Sequence, residues 1–371
     1  MDWSRGYSAS FYVMTIDPVT WRERYKIKVI DGNIKRALSG LRQSASLDIS
    51  EQIEGVEQWV RIYMDTVQDG DYGHTPLFTG LATTPKRESN ANLTERTVDV
   101  YSVLKPLDDI ILQRGWYAYA GSSAESIISS LLEATPAPVE IYEPSPVLST
   151  TIIAEEGDTY LSMLERVINA CGWRIRILGT GTIQVCPYST TPVARFDPLE
   201  YDAIQPPLTV DEDWYSAPNC YMAVSGNLSG VAKDNSADSP LSIINRGREV
   251  WRYEGSAKLS NVETIAEYAT RKLKEAQKVQ MSVSYDRRYV PDVLPTDTIQ
   301  LHYPGQKVDG LYAIVSQNVK IGYNCTTSES VFTTATYDDN ENERDVKAYL
   351  LVDDNNRAIV TDTGECIAVI I

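Results

Sequence analysis

From Val279 the chain sets apolar residues two apart, Val279, Met281, Val283 and Tyr285, with Gln280, Ser282, Ser284 and Asp286 between them. A period of two sends successive side chains to opposite faces of a strand, so this stretch has one buried face and one wet face. The alternation restarts at Ile299, Leu301 and Tyr303 after Pro291 and Pro295 interrupt it, and residues 311–319 and 331–337 continue it beyond a loop at 305–310. Ahead of these strands a helix is expected over residues 260–278. Ser260 and Glu263 form a capping box, Val262, Ile265, Ala269, Leu273 and Ala276 share a face, and Arg271, Lys272, Lys274 and Lys278 load the last turns, where the helix dipole favours cations.

The same strand period appears early in the chain. Strands are expected at 8–14 and 21–30 around an Asp17-Pro18 turn, with Asp31-Gly32 turning the chain and 34–41 a short helix or irregular. Further strands hold Leu47 and Ile49, then 59–64 and 77–82 on either side of a polar loop at 65–74, then 97–103, before a short helix at 104–115. The middle differs. Ser122 and Glu125 suggest a capping box for a helix with Ala124, Ile127, Ile128 and Leu131 on one face, and Pro136, Pro138, Pro144 and Pro146 make a stiff connector. A strand at 151–154 follows. Asp158 is expected to cap a helix carrying Leu161, Leu164, Ile168 and Cys171, and 173–178 pairs with 182–186 across Gly179-Thr180-Gly181. Residues 196–213 read as a linker or strap, 219–226 as a strand and 228–245 as a mobile polar excursion, with 248–253 leading into the helix.

After the acidic run 338–345, strands are expected at 348–352, 358–361 and 366–371. The apolar ending Cys-Ile-Ala-Val-Ile-Ile either completes a sheet of its own chain or pairs with a neighbouring copy, because each aliphatic side chain gains about 1.5–3 kcal/mol on burial. At 371 residues the chain is too long for one comfortable core. The fold class is α+β, mainly β. It has a first antiparallel β-barrel domain at 1–115, a small α/β insert at 116–195, a related second barrel at 196–337 with the helix, and a C-terminal β extension at 338–371.

Composition narrows function by exclusion. With 34 basic against 51 acidic residues the formal charge is −17, the wrong sign for gripping nucleic acid. The first residues lack an apolar signal core and no apolar run reaches spanning length, so synthesis in the cytoplasm without signal export or membrane insertion is expected. Five cysteines without CxxC or Cys/His spacing point to buried free thiols rather than zinc or a disulfide framework. Glu155, Glu156 and Asp158 are too close in sequence to flank a sugar as an acid/base pair. The only histidines, His74 and His302, come with no nucleophile signature. Gly179-Thr180-Gly181 joins two strands and opens no helix, so it is no phosphate cradle. Asp65, Asp69 and Asp71, like Asp234 and Asp238, lack calcium-loop spacing. No catalytic, cofactor-binding or metal-binding residue is assigned. The 23 tyrosines and 7 tryptophans suit sugar stacking and large interfaces alike.

Two segments echo each other. Trp59-Val-Arg-Ile-Tyr63, a polar stretch and Leu77-Phe-Thr-Gly-Leu81 match Thr298-Ile-Gln-Leu-His-Tyr303, a loop and Leu311-Tyr-Ala-Ile-Val315. Between them stand Val98-Asp-Val-Tyr-Ser-Val-Leu-Lys-Pro-Leu107, Glu155-Glu-Gly-Asp-Thr159 before a helix, and Gly172-Trp173. Pro295-Thr296-Asp297 and Gly310-Leu-Tyr312 then frame the last strands. In this order, over about 25–337, the chain resembles the baseplate hub family of phage tails, with Thr296 where that family commonly has glycine.

The resemblance implies a structural, non-enzymatic homotrimer in the virion baseplate, assembled in the host cytoplasm. Its two barrels per chain would give a pseudo-sixfold face toward the tail tube or a distal tail protein, and its threefold face would take the central spike. The tape-measure protein and DNA would pass an acidic lumen without specific binding. Candidate interface residues are Trp59, Ile62, Tyr63, Leu77, Phe78, Ile299, Leu301, Tyr303, Leu311, Tyr312, Ile367, Val369 and Ile371. The rival is a carbohydrate-binding or wall-degrading tail-associated protein, which Glu156-Gly-Asp-Thr159, faintly similar to the start of a LysM module, would fit if a second helix followed.

Overall fold

The computed structural model describes residues 2–336 apart from 4, 50–56, 84–85, 91–92, 149–150, 199–202, 213, 226–227, 256–263, 278–280 and 323–324. The expected Ser260–Glu263 cap and the C-terminal strands, with Ile367, Val369 and Ile371, lie outside these residues. The N-terminal part supplies β1 (Ser8–Ile16), β2 (Glu23–Arg36), β3 (Gln43–Ile49), β4 (Gln58–Gln68), β5 (Asp71–Ala82), β6 (Lys86–Asn90) and β7 (Leu93–Ser102). All pair antiparallel, in the order β1-β4-β5-β7-β3-β2, and β2 pairs back onto β1, so these six strands close on themselves. Phe11, Val13, Leu47, Ile62, Met64 and Phe78 pack together in the buried cluster that this closure encloses.

Two expectations fail here for physical reasons. Asp31-Gly32 does not turn the chain; β2 runs through it to Arg36, with a register shift between Val29 and Asp31. An Asp-Gly pair serves a bulge as well as a turn. Here a Cβ on residue 32 would come within 2.5 Å of the Ser46 carbonyl oxygen, so glycine allows the close strand approach. The polar stretch 65–74 is strand rather than loop: Asp65 pairs with His74 and Gln68 with Asp71 around Asp69 (φ 51°) and Gly70 (φ 93°). Positive φ at both turn residues is the geometry that keeps a two-residue hairpin twisted with its strands.

The middle of the chain contains α1 (Lys105–Asp109), β8 (Tyr117–Ala118), α2 (Ala124–Leu132), β9 (Val139–Ile141), β10 (Ile152–Ile153), α3 (Tyr160–Ala170), β11 (Trp173–Ile177) and β12 (Ile183–Pro187). Ala124, Ile128 and Leu131 of α2 meet Leu161, Leu164 and Ile168 of α3 in a core floored by Ile175 and Val185. The β11–β12 hairpin forms as expected, and β9 adds parallel to β12. Both caps differ from expectation. Ser123 is the α2 N-cap but its side chain caps no helix N–H; it donates to Ser145 Oγ, which accepts the Glu125 N–H at 2.8 Å. Thr159, not Asp158, caps α3 in a box with Ser162, while Asp158 accepts the Glu155 N–H at 2.6 Å.

β13 (Ala194–Phe196) runs into the expected strap, which contains β14 (Ile204–Glu212). The chain then divides by packing into two units, 1–209 with 284–371, and 210–283. The second unit holds β15 (Cys220–Ser225), β16 (Leu228–Lys233), α4 (Ile243–Arg246), β17 (Trp251–Glu254) and α5 (Ile265–Ala276), so the polar excursion at 228–245 carries a strand and a helical turn. Tyr268, Ala269 and Leu273 of α5 cover Tyr221, Ala223 and Ala232 of the β16-β15-β17 sheet. Its cap is Thr264, whose Oγ1 accepts the Glu267 N–H at 3.3 Å while Glu267 Oε2 accepts the Thr264 N–H at 2.8 Å.

After β18 (Met281–Arg288), which spans the boundary at 283–284, the first unit is completed by β19 (Thr298–Tyr303), β20 (Val308–Ile321) and β21 (Thr326–Thr336). The protein is thus mainly β around a large, mostly antiparallel sheet of thirteen strands; β13 pairs parallel to β19. The strands expected as two separate barrels hydrogen-bond within this one sheet, β2 against β20. Among the described residues the later set runs as the path β13-β19-β20-β21-β18-β14 without a closing pair. Among the described residues no helix is long and apolar enough to cross a membrane.

Candidate functional site

The alternation Trp173-Arg-Ile-Arg-Ile177 turns the apolar side chains of β11 into the α2–α3 core and sends Arg174 and Arg176 out on the same opposite face. Both reach Asp297, which is fully buried at the turn before β19. Arg174 Nη1 donates to Oδ1 at 3.1 Å, Arg176 Nη2 to Oδ2 at 3.0 Å, and the Leu294 N–H to Oδ2 at 3.0 Å. Arg174 also donates to the Thr296 carbonyl. Thr296 itself sits at φ 76°, the left-handed region that glycine would occupy without strain.

The tip of the same hairpin seats on β4–β5. Arg61 Nη2 donates to the Thr180 carbonyl at 2.8 Å, and Thr79 Oγ1 donates to the Gly179 carbonyl at 2.7 Å. A Cβ on Gly179 would run into the Pro76 carbonyl, and one on Gly181 would come within 2.8 Å of Thr79. The two glycines permit this close contact. The middle segment is fastened to the first strand set at its tip and to the second through Asp297.

A second ionic cluster lies inside the later strands. Arg287 and Glu329 are 1% and 0% exposed, paired by Nη2–Oε1 at 2.9 Å and Nε–Oε2 at 3.0 Å. Tyr285 OH and Gln317 Nε2 also donate to that carboxylate, at 2.6 Å each. Burial opposes ionisation of Glu329, but the Arg287 guanidinium and these donors outweigh it and hold the carboxyl below its usual range. Gln317 Oε1 accepts from Arg36 of β2 at 3.2 Å, and Arg36 Nη2 donates to the Leu77 carbonyl at 2.7 Å, so the cluster continues into the first strand set.

Of the candidate interface residues, Trp59, Ile62, Tyr63, Leu77, Phe78, Ile299, Leu301 and Tyr312 are buried within the chain itself, and Tyr303 and Leu311 are half-buried. On the face of β4–β5 away from the core lies a polar aromatic row in which Tyr12 and Tyr63 are buried and His74 is exposed. Tyr63 stacks on His74 at 4.3 Å and on Tyr12 at 5.4 Å, Lys26 Nζ lies 3.5 Å over the Tyr12 ring, and His74 Nδ1 is 2.6 Å from Asp65. Burial, with the Asp65 charge, pushes the Tyr12 phenol up to about 12. The echoing hairpin β19–β20 repeats the device, with His302 Nδ1 2.9 Å from Asp309 and the two residues paired across the strands.

Sequence reasoning missed Arg174, Arg176, Arg287 and Glu329 as partners. Phase was the available signal: Arg287 continues the buried row Val283, Tyr285, and a charge in that phase calls for a counter-charge inside.

The other residues weighed for chemistry do not converge. Glu155 and Glu156 are exposed, and Asp158 is engaged by Arg166 at 2.7 Å. Among the described residues no three His, Cys, Asp or Glu side chains group as a metal site requires. Cys220 and Cys325 are buried thiols as expected, Cys171 and Cys186 half-buried, and burial pushes Cys325 up to about 12.

No protein-family model matches the chain, and no curated protein matches its sequence. Solved structures do match its fold. A 43 kDa tail protein of prophage MuSo2 from Shewanella oneidensis aligns with TM-score 0.60 at 13% identity over 88% of this chain and 98% of its own. A tail protein from Neisseria meningitidis MC58 aligns with TM-score 0.58 at 16% identity over 88% and 97%. A chain of the Francisella PdpA-VgrG complex aligns with TM-score 0.55 at 6% identity, over 93% of this chain and 56% of that one. The chain shares the fold of these phage tail proteins.

Proposed function

We propose that the protein is a structural hub of a phage or phage-like tail baseplate, a homotrimeric ring that joins the hexameric tail tube, or a distal tail protein, to a central spike. The observation that carries this is the near end-to-end fold match with a tail protein of closely similar length, 98% of which is covered. In this reading the strand sets within 1–115 and 196–337 act as two related scaffolds, and three chains present six near-equivalent surfaces to a sixfold tube. The insert at 116–195 braces them through the Asp297 and Gly179–Gly181 contacts. The buried side chains Ile62, Phe78, Ile299 and Leu301 hold each hairpin rigid, while outward groups such as Tyr72, His74 and His302 meet neighbouring chains. The charge of −17 suits a lumen that repels phosphate as DNA and the tape-measure protein pass. The protein acts by geometry, with no catalytic step.

Native mass and electron microscopy of the purified protein test this together. A trimer forming a ring with an acid-lined central hole is the expected result. A monomer that clears cell wall in zymography would replace it with the wall-degrading alternative, and a basic lumen would overturn the passage role.

A further inference from the structure

We propose that the open edge of β9, with the cleft between it and α2, takes up a short extended peptide segment carrying lysine or arginine between apolar residues, added as a fourth strand to the β11-β12-β9 sheet. This goes beyond the hub reading and does not depend on ring assembly.

Among the described residues β9 pairs with β12 alone and ends the sheet. The bonds Ile183 N–H to Pro138 carbonyl (2.8 Å) and Tyr142 N–H to Val185 carbonyl (2.9 Å) use groups of residues 138 and 142. In a parallel ladder alternate residues face the partner, so the N–H and C=O of Val139 and Ile141 point the other way, toward the open edge. That edge opens on a cleft of about 470 Å³. Ala137, Val139 and Ile141 supply apolar surface, and Glu125, Ser129 and Glu133, four residues apart on α2, line the facing wall.

The lining contains no lysine or arginine, and neither carboxylate is ion-paired among the described residues. Free backbone groups, alternate apolar contacts and two uncompensated carboxylates together describe recognition by strand addition of a cationic segment. Pro138 and Pro144 bracket the open stretch, so the added strand is short. The chain's own residues 338–345 have the wrong sign, with Asp338, Asp339, Glu341, Glu343 and Asp345 against Arg344.

The test uses the full chain and a fluorescein-labelled peptide Thr-Val-Lys-Val-Lys-Val-Thr, read by anisotropy and by amide hydrogen exchange. Saturable binding that slows exchange at Val139 and Ile141 is expected. Glu133→Lys, at an exposed position, should weaken binding by about tenfold, equivalent to about 1.4 kcal/mol. Ile141→Pro should abolish it, since it removes an outward donor and leaves the groups bonded to β12 intact. Equal affinity for the same peptide with glutamate in place of lysine, or exchange protection elsewhere, would overturn the proposal. So would displacement of the probe by a peptide of residues 346–352 at lower concentration than the probe itself requires, which would assign the cleft to the chain's own tail.

Discussion

The two strand sets of the large sheet solve the same packing problem with different interiors. The first closes through β1–β2 around Phe11, Val13, Ile62 and Phe78, and keeps Arg61, Glu23 and Asp65 on its outer face. The later set has no closing pair among the described residues and carries Arg287 and Glu329 inside, with Asp297 at its rim. Closure specifies register by itself, because a slip of one residue would turn the apolar row outward on every strand. An open path lacks that constraint. There, a buried ion pair penalises misalignment, since an unpaired charge in the interior costs far more than the pair gains. Similar hairpins are thus held by shape in one set and by charge matching in the other.

The comparison breaks most visibly at Arg287. Arg287→Met should lower unfolding stability by about 3–5 kcal/mol in urea titrations, and Arg287→Met with Glu329→Met should recover most of it, because the stranded carboxylate is gone. Phe78→Ala in the first set should cost about 3–5 kcal/mol with no partner change that restores it. A double variant no better than the single one would remove the contrast. Asp297→Asn should cost about 2–3 kcal/mol by leaving Arg174 buried without its counter-charge. Thr296→Gly should instead gain about 1 kcal/mol, read as a higher midpoint, because it relieves φ 76° and removes a buried hydroxyl without a hydrogen-bond partner.

Titration sharpens the same contrast. The Glu329 carboxyl is held below its ordinary value, so its stabilisation is present above about pH 4.3 and is lost as pH falls through the depressed folded value. Acid titration followed at the Tyr285 ring should therefore loosen the later strands before the first set. The smallest effect is at His302, whose pKa is raised chiefly by its bond to Asp309. Its contribution is full below about pH 6.5 and fades as pH rises through the raised value, and Asp309→Asn should return the imidazole titration seen by NMR toward the ordinary range.

Much of the fold was legible where burial follows a short period. The β11–β12 hairpin, the apolar faces of α2, α3 and α5, and the predominance of strand all follow from which residues recur on one side. The polar hairpin at 65–74 and the strands β14 and β16 were not legible in this way. Their buried positions are polar or small, Thr66 and Gln68 in the hairpin and Gly230 and Ala232 in β16, and β14 is rich in proline, so the large apolar alternation by which strands are recognised is missing. Asp31-Gly32 was misread because the same dipeptide suits a bulge and a turn, and only the neighbouring strand at Ser46 distinguishes them. The candidate interface side chains were found as an apolar set, but apolarity marks a core as readily as a contact surface, and most of them are core.

Residues two to four apart set the periodicities, and with them which face of each element seeks burial, without help from the rest of the chain. Which strands pair, whether a set closes, and where a buried charge finds its partner were decided only in three dimensions. Arg36 meets Gln317 across 281 residues of chain, and Arg174 meets Asp297 across 123. Such pairs leave no local pattern, because the energy that selects them arises only once distant segments have excluded water from the same place.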